Sequence, residues 1–322
     1  MKDNFIAQSF GKSQNYTDIP NQLYKEYNVK KGLRNEDGTG VRVGLTRVSD
    51  VVGYDLVDGV KTNVAGRLYY RGYDIVDIAA ARAKDAVGYE EVMFLLLFGF
   101  LPSKREFDNF NDILRDMYAL PNDFLEMNLL RMPAQNLMNK LQHAVLTLYN
   151  YDEDPDNVEV YSTLLKGLDI TAKLPSIMCY AYQSKMHYFN RESLVIHYPM
   201  KSYSIAENIL YMLRENRQFS AKEAALLDTI LVLQADHGGG NNSTFANVVV
   251  SSTGTDIYSS IAAAIGSLKG PKHGGANIQV SNMMEEIVAE IGYTTDEKKI
   301  RTVIEKILDK EFFDRTGLIY GF

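Results

Sequence analysis

A helix-start signature that recurs along the chain places the strongest constraint on the fold. A Ser or Thr followed three residues later by Glu forms a capping box, in which each residue can satisfy a backbone N–H of the other. Each of four such pairs precedes apolar residues at helical spacing. The pairs are Ser103 with Glu106, Ser204 with Glu207, Ser220 with Glu223, and Thr294 with Glu297. This pattern predicts an all-α protein with roughly ten helices.

One section of the chain has the pattern of strands. In "YDLVDGVKTNVAGRLYYRGYDI", residues 54–75, Asp58-Gly59 suits the tight turn of a β-hairpin. Residues 1–50, which come before it, are mostly polar and contain the turn-rich "NEDGTG", so we predict an N-terminal arm there. The segment "YEEVMFLLLFG" is apolar nearly all round, which predicts a buried helix that Gly99 ends.

Composition excludes several classes of protein. A net charge of −7 gives no basic footprint for nucleic acid. The single cysteine, Cys179, excludes an internal disulfide and a metal cage of thiolates. The start, "MKDNFIAQSF", lacks the apolar core of a secretion signal, and "VMFLLLFGFL" is about half as long as a membrane span. We therefore expect a cytoplasmic protein that contacts neither nucleic acid nor membrane.

Two of the five histidines have an unusual sequence context. His143, His187 and His197 lie in stretches without polar company, and we expect structural roles for them. His237 and His273 each run directly into glycines, in "LVLQADHGGGNNST" and "GSLKGPKHGGANIQV". These two stretches are the candidates for a functional site.

The glycines beside His237 do not fit the common phosphate or metal motifs. A P-loop needs Lys-Ser or Lys-Thr after its last glycine, where this chain has Asn-Asn-Ser at residues 241–243. A dinucleotide fingerprint follows a strand, but here a helical segment precedes the glycines. Zinc needs three or four ligands at short spacing, and two histidines 36 positions apart without cysteine make a weak site. We expect no metal.

An acid–base site fits both stretches better. Gly-Gly lets a ligand approach the backbone and leaves N–H groups to bind anions. The short polar side chains of residues 241–244 can fix an imidazole tautomer. Gly270-Pro271 predicts that a new helix begins near His273, where the helix dipole disfavours the imidazolium form. A neutral His273 can donate to a carbonyl oxygen and stabilise an enolate. From spacing alone, a purely structural role in capping that helix is equally consistent.

The residues around both histidines also match a known family. Residues 235–277, "ADHGGGNNSTFANVVVSSTGTDIYSSIAAAIGSLKGPKHGGAN", closely resemble the signature region of citrate synthases. They contain His-x-x-x-Asn-x-Ser before an Ala-rich helix, and then Gly-Pro-x-His-Gly-Gly-Ala-Asn. The segments "GRLYYRGYDIVDIA" and "EEVMFLLLFGFLPSKREF" resemble early segments of that family in the same order. The resemblance runs from about residue 40 to residue 322.

The resemblance implies a fold and an activity. It implies a mostly helical two-domain fold that forms a homodimer, with residues 1–50 as an arm, 51–276 as the large domain and 277–322 as the incomplete start of the small domain. The family condenses oxaloacetate with acetyl-CoA and hydrolyses the thioester to release citrate and CoA. Acetyl-CoA is a cosubstrate, and no tightly bound cofactor is implied.

The resemblance also implies roles for individual residues. His237 matches the histidine that binds oxaloacetate, and Asn241 and Ser243 match its polar neighbours. The serine is expected to orient the catalytic histidine, His273, which hydrogen-bonds the thioester carbonyl as the enol forms. A further set matches the start of a loop whose backbone groups recognise the adenine of CoA. Its members are Leu318, Ile319, Tyr320 and Gly321.

Three expectations about activity follow. In the family, a segment like Leu318–Phe322 leads into Gly-His-x-Val-Tyr, a catalytic aspartate and carboxylate-binding arginines, and none of these lies within the 322 residues. Because a general base contributes about 10²–10⁴-fold, we expect this polypeptide alone to lack useful synthase activity. One alternative is 2-methylcitrate synthase, which uses propionyl-CoA, since one methylene changes binding by only about 1–3 kcal/mol. The other is a non-catalytic dimerisation or ligand-binding module.

Overall fold

The computed structural model of the chain describes residues 20–27, 46–57, 60–82 and 88–321. The chain divides into two units, residues 1–43 and 44–322. The described part of the first unit contains one short helix, α1 (Asn21–Glu26). Most of the predicted arm, residues 1–50, lies outside the described residues. Every element named below belongs to the second unit.

A small antiparallel sheet opens the second unit. Its strands are β1 (Ser49–Val57), β2 (Val60–Tyr70) and β3 (Tyr73–Asp74), in the order β1-β2-β3. Ser49 lies opposite Tyr70, and Val57 lies opposite Val60 at the other end of the hairpin. The strand pattern is therefore confirmed, with β3 as a short addition that the sequence did not reveal. The predicted turn at Asp58-Gly59 lies outside the described residues.

Helices make up most of the rest of this unit. They are α2 (Ile75–Arg82), α3 (Gly88–Phe98), α4 (Lys104–Asp116), α5 (Leu137–Leu148), α6 (Val160–Asn190), α7 (Ile205–Leu213), α8 (Ala221–Leu233), α9 (Asn242–Ser251), α10 (Ile257–Leu268), α11 (Gly275–Ile291) and α12 (Glu297–Leu308). A π-helical segment covers Leu125–Leu130, and a 3-10 turn covers Tyr149–Tyr151. The all-α prediction with one small β-hairpin is confirmed.

Three of the four predicted capping boxes are present. Those at Ser103, Ser204 and Ser220 start α4, α7 and α8, and in each the serine oxygen accepts from the backbone N–H of its glutamate. The fourth prediction, Thr294 with Glu297, is wrong. Asp296 is the N-cap of α12, and its Oδ1 accepts from the N–H groups of Lys298 and Lys299 at 3.0 and 3.4 Å. A carboxylate both accepts these bonds and stabilises the positive end of the helix, so it replaces the threonine hydroxyl.

Helix α3 ends at the predicted glycine. Gly99 has φ +88°, a conformation that costs other residues free energy, and its N–H donates to the Leu95 carbonyl at 2.8 Å. The middle of α3 is buried as predicted, but Leu97 and Phe98 in its last turn are exposed. The description of this helix as buried therefore holds for its first two turns.

Two apolar clusters hold the unit together. The larger one gathers side chains from α3 to α7, the π-helical segment and α10, and Phe124 and Leu129 at its centre are fully buried. The smaller one joins the sheet to α2, α3 and α8. It consists of Tyr70, Ile75, Ile78, Val92, Leu95 and Val232. Each such side chain contributes about 1.5–3 kcal/mol on burial, so the smaller cluster fixes the end of α8 against the sheet.

A pair of buried carboxyl groups links α3 to two neighbouring helices. Asp228 of α8 accepts from the N–H groups of Gly88 and Tyr89 at 2.9 and 3.0 Å and so caps α3 from outside. Glu90 Oε1 accepts from the Ile205 N–H at 2.7 Å, whereas its buried Oε2 has no hydrogen-bond partner. Burial raises the pKa of the Glu90 carboxyl from 4.5 to about 7, with the Asp228 charge adding to the effect.

Across the described ranges, no helix combines the length and the apolar character that crossing a membrane demands.

Candidate active site

The first histidine loop connects α8 to α9, and Asp236 anchors it. Asp236 Oδ1 accepts from the backbone N–H groups of His237 and Gly238 at 2.7 and 3.2 Å. Asp236 Oδ2 accepts from Ser49 Oγ at 2.8 Å, and the Asp236 N–H donates to the Tyr70 hydroxyl at 3.2 Å. The loop that carries His237 is therefore held against strands β1 and β2.

Gly238 allows the close approach of this loop to the sheet. Its φ is +79°, in the left-handed region that favours glycine. A Cβ at this position would lie 3.1 Å from the carbonyl oxygen of Ser49. The first glycine after His237 thus meets a backbone requirement, both in conformation and in space.

Asn241 starts α9 as its N-cap. Its Oδ1 accepts from the N–H groups of Ser243 and Thr244 at 2.7 and 3.2 Å, and its own N–H donates to the Gly238 carbonyl at 3.2 Å. The carbonyl oxygen of this side chain is therefore used within the protein. Its amide nitrogen has no hydrogen-bond partner among the described residues.

The second histidine loop connects α10 to α11. The N–H groups of His273 and Gly274 both donate to the Gly270 carbonyl, at 2.9 and 3.0 Å. A Cβ on Gly274 would lie 2.1 Å from the Leu268 carbonyl oxygen, a distance that real side chains do not tolerate. The helix predicted to begin near His273 begins at Gly275, so His273 precedes its N-cap, Gly274.

A hydrogen bond joins the two loops. Ser243 Oγ lies 2.8 Å from His273 Nε2, and both residues are half-buried. A second contact runs nearby, where Asn242 Nδ2 donates to Ser267 Oγ at 2.7 Å. The first turn of α9 is therefore tied to the last turn of α10 and to the imidazole that follows it. The Ser243 contact fixes the plane of the His273 ring, and the tautomer decides which partner donates.

The His237 side chain differs from that of His273. It is exposed and makes no hydrogen bond within the described part of the chain. His237 is connected to the other site residues through the backbone of its loop, whereas His273, Ser243 and Asn241 are connected through side chains.

The predicted adenine-recognition residues share no hydrogen bond with this group within the described ranges. They follow α12, Leu318 and Ile319 are exposed, and the Tyr320 hydroxyl donates to Asp314 Oδ2 at 2.6 Å. No hydrogen bond joins residues 318–321 to either histidine loop in the described ranges. Their predicted role in binding CoA rests on the sequence resemblance.

The other three histidines have the structural surroundings expected of them. His143 is exposed on α5, and His187 Nδ1 lies 2.8 Å from the Glu192 carbonyl oxygen. His197 is buried, accepts at Nδ1 from Arg217 Nε at 3.1 Å, and lies 3.2 Å through Nε2 from the Glu215 carbonyl oxygen. Within the described residues, no group of three or more His, Cys, Asp or Glu side chains could hold a metal ion.

Three residues that support the site were not identified from sequence. They are Ser49, Tyr70 and Asp236. Asp236 is hydrogen-bonded to both of the others, although it lies 187 positions from Ser49. The one available signal was the aspartate directly before the histidine in "ADHGGG". An Asx side chain in such a place often hydrogen-bonds the backbone that follows it.

Known proteins resemble the chain over most of its length. The sequence profile described as "Citrate synthase, C-terminal domain" matches residues 36–322. A protein of Haloferax volcanii named citrate synthase is 39% identical over 263 residues, which are 80% of this chain and 62% of that protein. A protein of Mycobacterium tuberculosis named 2-methylcitrate synthase is 34% identical over 260 residues, or 80% of this chain and 58% of that protein.

The fold agrees with these sequence matches. The crystal structure of citrate synthase from Pyrobaculum aerophilum superimposes with a TM-score of 0.64 at 30% identity, covering 86% of this chain and 65% of that one. This chain thus spans less than two thirds of each of these three proteins. Since the profile extends from residue 36 to residue 322, the chain belongs to the citrate synthase family.

Proposed function

We propose that the two joined loops form the oxaloacetate and thioester site of a citrate synthase, which condenses acetyl-CoA with oxaloacetate to give citrate and CoA. The observation that carries this proposal is the 2.8 Å contact between Ser243 Oγ and His273 Nε2. It connects the first turn of the helix that follows one glycine-flanked histidine to the imidazole of the other. Such a contact fixes a ring that has to act on a defined atom of a substrate.

In this proposal His273 acts on the thioester. When a carboxylate base takes a methyl proton from acetyl-CoA, negative charge moves onto the thioester oxygen. The resemblance does not place that base among these 322 residues. A neutral imidazole donates a hydrogen bond to that oxygen, and Ser243 keeps the ring in plane for it. The N-terminus of α11, at Gly275, adds a positive potential beside the ring. Removing one preorganised donor of this kind costs about 10²–10³-fold in rate.

His237 and its neighbours bind oxaloacetate. The exposed imidazole and the backbone N–H groups of residues 239 and 240 offer donors to the carboxylates. The Asn241 amide nitrogen and the N-terminus of α9 contribute in the same direction. The enol carbon then attacks the keto carbon of oxaloacetate to form the new C–C bond. Hydrolysis of the resulting thioester releases CoA.

Residues 318–321 complete the proposal on the CoA side. The backbone of Leu318, Ile319, Tyr320 and Gly321 would recognise the adenine, and the exposure of Leu318 and Ile319 is compatible with a ligand lying over them. The boundary that we propose between a large domain, residues 51–276, and a small one, residues 277–322, falls within α11.

The acyl-CoA substrate of this chain is either acetyl-CoA or propionyl-CoA. The similar proteins include one named citrate synthase and one named 2-methylcitrate synthase. We expect acetyl-CoA to be preferred. Calorimetric affinities for acetyl-CoA and propionyl-CoA, measured in the presence of oxaloacetate, decide this, and a preference for propionyl-CoA would assign the chain to the second activity.

We also propose that the chain forms a homodimer. Several large apolar side chains are open to solvent, among them Val160 and Tyr161 at 85% and 68% exposure, Leu226 at 62% and Ile278 at 64%. Burying each of them against a second copy gains roughly 1–3 kcal/mol before the cost of association. Light scattering should report the mass of two chains, and a clean monomer would contradict the proposal.

Calorimetric titration of the chain with oxaloacetate tests the site itself. We expect binding that His237→Ala weakens by about tenfold or more, because the imidazole supplies a direct contact. His143→Ala is the matched control, since it removes an exposed imidazole from α5 and should leave the affinity unchanged. No binding by an intact dimer would reject the enzyme site and favour a dimerisation module. An affinity left unchanged by His237→Ala would reject the assignment of His237.

A further inference from the structure

The aspartate that precedes His237 is placed to hold the loop and not to meet a ligand. Asp236 accepts three hydrogen bonds, from the N–H groups of His237 and Gly238 and from Ser49 Oγ. Both carboxylate oxygens are therefore engaged within the protein. A carboxylate is poorly suited to bind a dicarboxylate ligand directly, whereas it accepts hydrogen bonds from the protein readily. We therefore assign Asp236 a structural role, in which it accepts hydrogen bonds from its own loop and from β1.

Tyr70 fixes the same residue from the other side. The tyrosine is fully buried, and its hydroxyl accepts from the Asp236 N–H at 3.2 Å and donates to the Val232 carbonyl at 2.9 Å. Burial raises the pKa of this hydroxyl, so it keeps the proton that it donates. Tyr70 thus connects the last turn of α8 to the start of the histidine loop.

The backbone of β1 completes the arrangement. Ser49 is 5% exposed, and its carbonyl oxygen lies so close to Gly238 that a Cβ there would come within 3.1 Å. Residues 236–238 therefore have little space in which to rotate. The His237 ring has no hydrogen bond of its own among the described residues, so its direction depends on this backbone.

We infer that Asp236, Tyr70 and Ser49 are positioning residues for His237, which makes the small sheet a working part of the oxaloacetate site. They act on the ligand only through the main chain of residues 237 and 238. The inference rests on the proposed function, since it assigns His237 to oxaloacetate.

Substitution of the anchor is the first test. Asp236→Ala removes all three hydrogen bonds and should weaken oxaloacetate binding about tenfold, the size expected for losing a charged hydrogen-bond acceptor. Asp236→Asn should restore most of the affinity, because the amide oxygen can accept from the backbone while the amide nitrogen donates to Ser49. Asp296→Ala is the matched control, since it removes a carboxylate that also accepts two backbone N–H groups, but at the start of α12.

A double-mutant cycle separates positioning from general stability. In a His237→Ala background, the further change Asp236→Ala should leave the residual affinity unchanged, because the anchor acts through the missing ring. Both Asp236→Ala and Asp296→Ala should lower the urea midpoint of unfolding to similar extents. Affinities that fall equally for these two variants would overturn the inference and leave only a stability effect.

A milder substitution tests the inference even if Asp236→Ala does not fold. Tyr70→Phe removes one hydroxyl and should weaken oxaloacetate binding several-fold. Its matched control is Tyr180→Phe, because Tyr180 is also buried and donates to a backbone carbonyl, that of His197, at 3.1 Å. Equal oxaloacetate affinities for these two variants would contradict the inference.

Amide hydrogen exchange gives a readout that does not depend on the ligand. In Asp236→Ala the N–H groups of His237 and Gly238 should exchange about tenfold faster than in the wild type, as expected for the loss of their acceptor. If wild-type chain bound no oxaloacetate, the proposed function would fail while this comparison still tested the anchor. Unchanged exchange at both positions would overturn the inference whatever the ligand does.

Discussion

The two histidine loops hold their imidazoles in opposite ways. In the loop of residues 234–241, Asp236 fixes the backbone around His237, and the ring remains exposed. In the loop of residues 269–274, the ring of His273 is itself held, 2.8 Å from Ser243 Oγ. One histidine is thus positioned through its main chain and the other through its side chain.

This difference suits two different roles, the recognition of a ligand and the stabilisation of a transition state. A ring held only at its backbone can turn to meet a bound ligand, which suits the recognition of a small dicarboxylate. A ring held at a nitrogen is oriented before the reaction, which suits the stabilisation of charge that develops in a transition state. The two loops also rest on different parts of the molecule, one on the sheet and the other on the end of α10. Three predictions test this contrast, from the largest expected effect to the smallest.

Gly274→Ala should damage the His273 loop most. The added Cβ would lie 2.1 Å from the Leu268 carbonyl oxygen, and backbone cannot move aside cheaply. We expect the free energy of unfolding to fall by more than about 3 kcal/mol, the upper end of the usual cost of overpacking. Urea unfolding measures it. Gly275→Ala is the control, because its nearest neighbour would be Pro271 Cβ at 4.0 Å, and equal losses for both variants would contradict the account.

Helix α8, which leads into the His237 loop, packs against a helix whose buried carboxyl group should make stability depend on pH. Helix α3 packs on α8 near Asp228, and burial raises the pKa of Glu90 in α3 from 4.5 to about 7. The folded state therefore holds a proton that the unfolded state loses, so stability falls as pH rises from about 4.5 to 7 and then levels off. The total loss from this group is on the order of 3 kcal/mol.

Unfolding free energies measured from pH 4 to pH 8 test this dependence. Glu90→Gln should flatten the profile, since the amide oxygen can still accept from the Ile205 N–H. Glu286→Gln, an exposed change on α11 beyond the His273 loop, should leave the profile as it is in the wild type. A difference in unfolding free energy between the wild type and Glu90→Gln that stays constant from pH 4.5 to 7 would contradict the burial argument.

Asn242→Ala should weaken the link between α9 and α10 only slightly. It removes the hydrogen bond from Asn242 Nδ2 to Ser267 Oγ, and we expect a loss of about 0.5–1 kcal/mol in unfolding free energy. Asn247→Ala on the same helix is the control. It should be neutral or slightly stabilising, because alanine has the better helix propensity. A stabilising effect of Asn242→Ala would show that the link contributes nothing.

Local patterns in the sequence predicted the parts of the fold that depend on local contacts. The capping boxes at Ser103, Ser204 and Ser220 formed because each involves residues only three positions apart. The prediction at Thr294 failed for an equally local reason, since Asp296 offers a stronger cap one residue before the helix. Gly99 ended α3 as predicted.

Local sequence patterns could not predict the contacts that position the site. No local signal pairs Asp236 with Ser49 across 187 positions, and the need for glycine at position 274 arises from the carbonyl of Leu268 in the preceding helix. The contact between Ser243 and His273 was expected only because the residues resemble a known family. Sequence patterns thus indicated which residues are chemically suited to a site, while tertiary packing decided how they are held.

Cooperative binding of the two ligands is the most direct test of a single joined site. Calorimetry measures the affinity for acetyl-CoA with and without saturating oxaloacetate, in the wild type and in Ser243→Ala. We predict that oxaloacetate raises the wild-type affinity for acetyl-CoA about tenfold and that Ser243→Ala loses most of this gain. Equal affinities in the wild type, or a gain that survives in Ser243→Ala, would contradict the account.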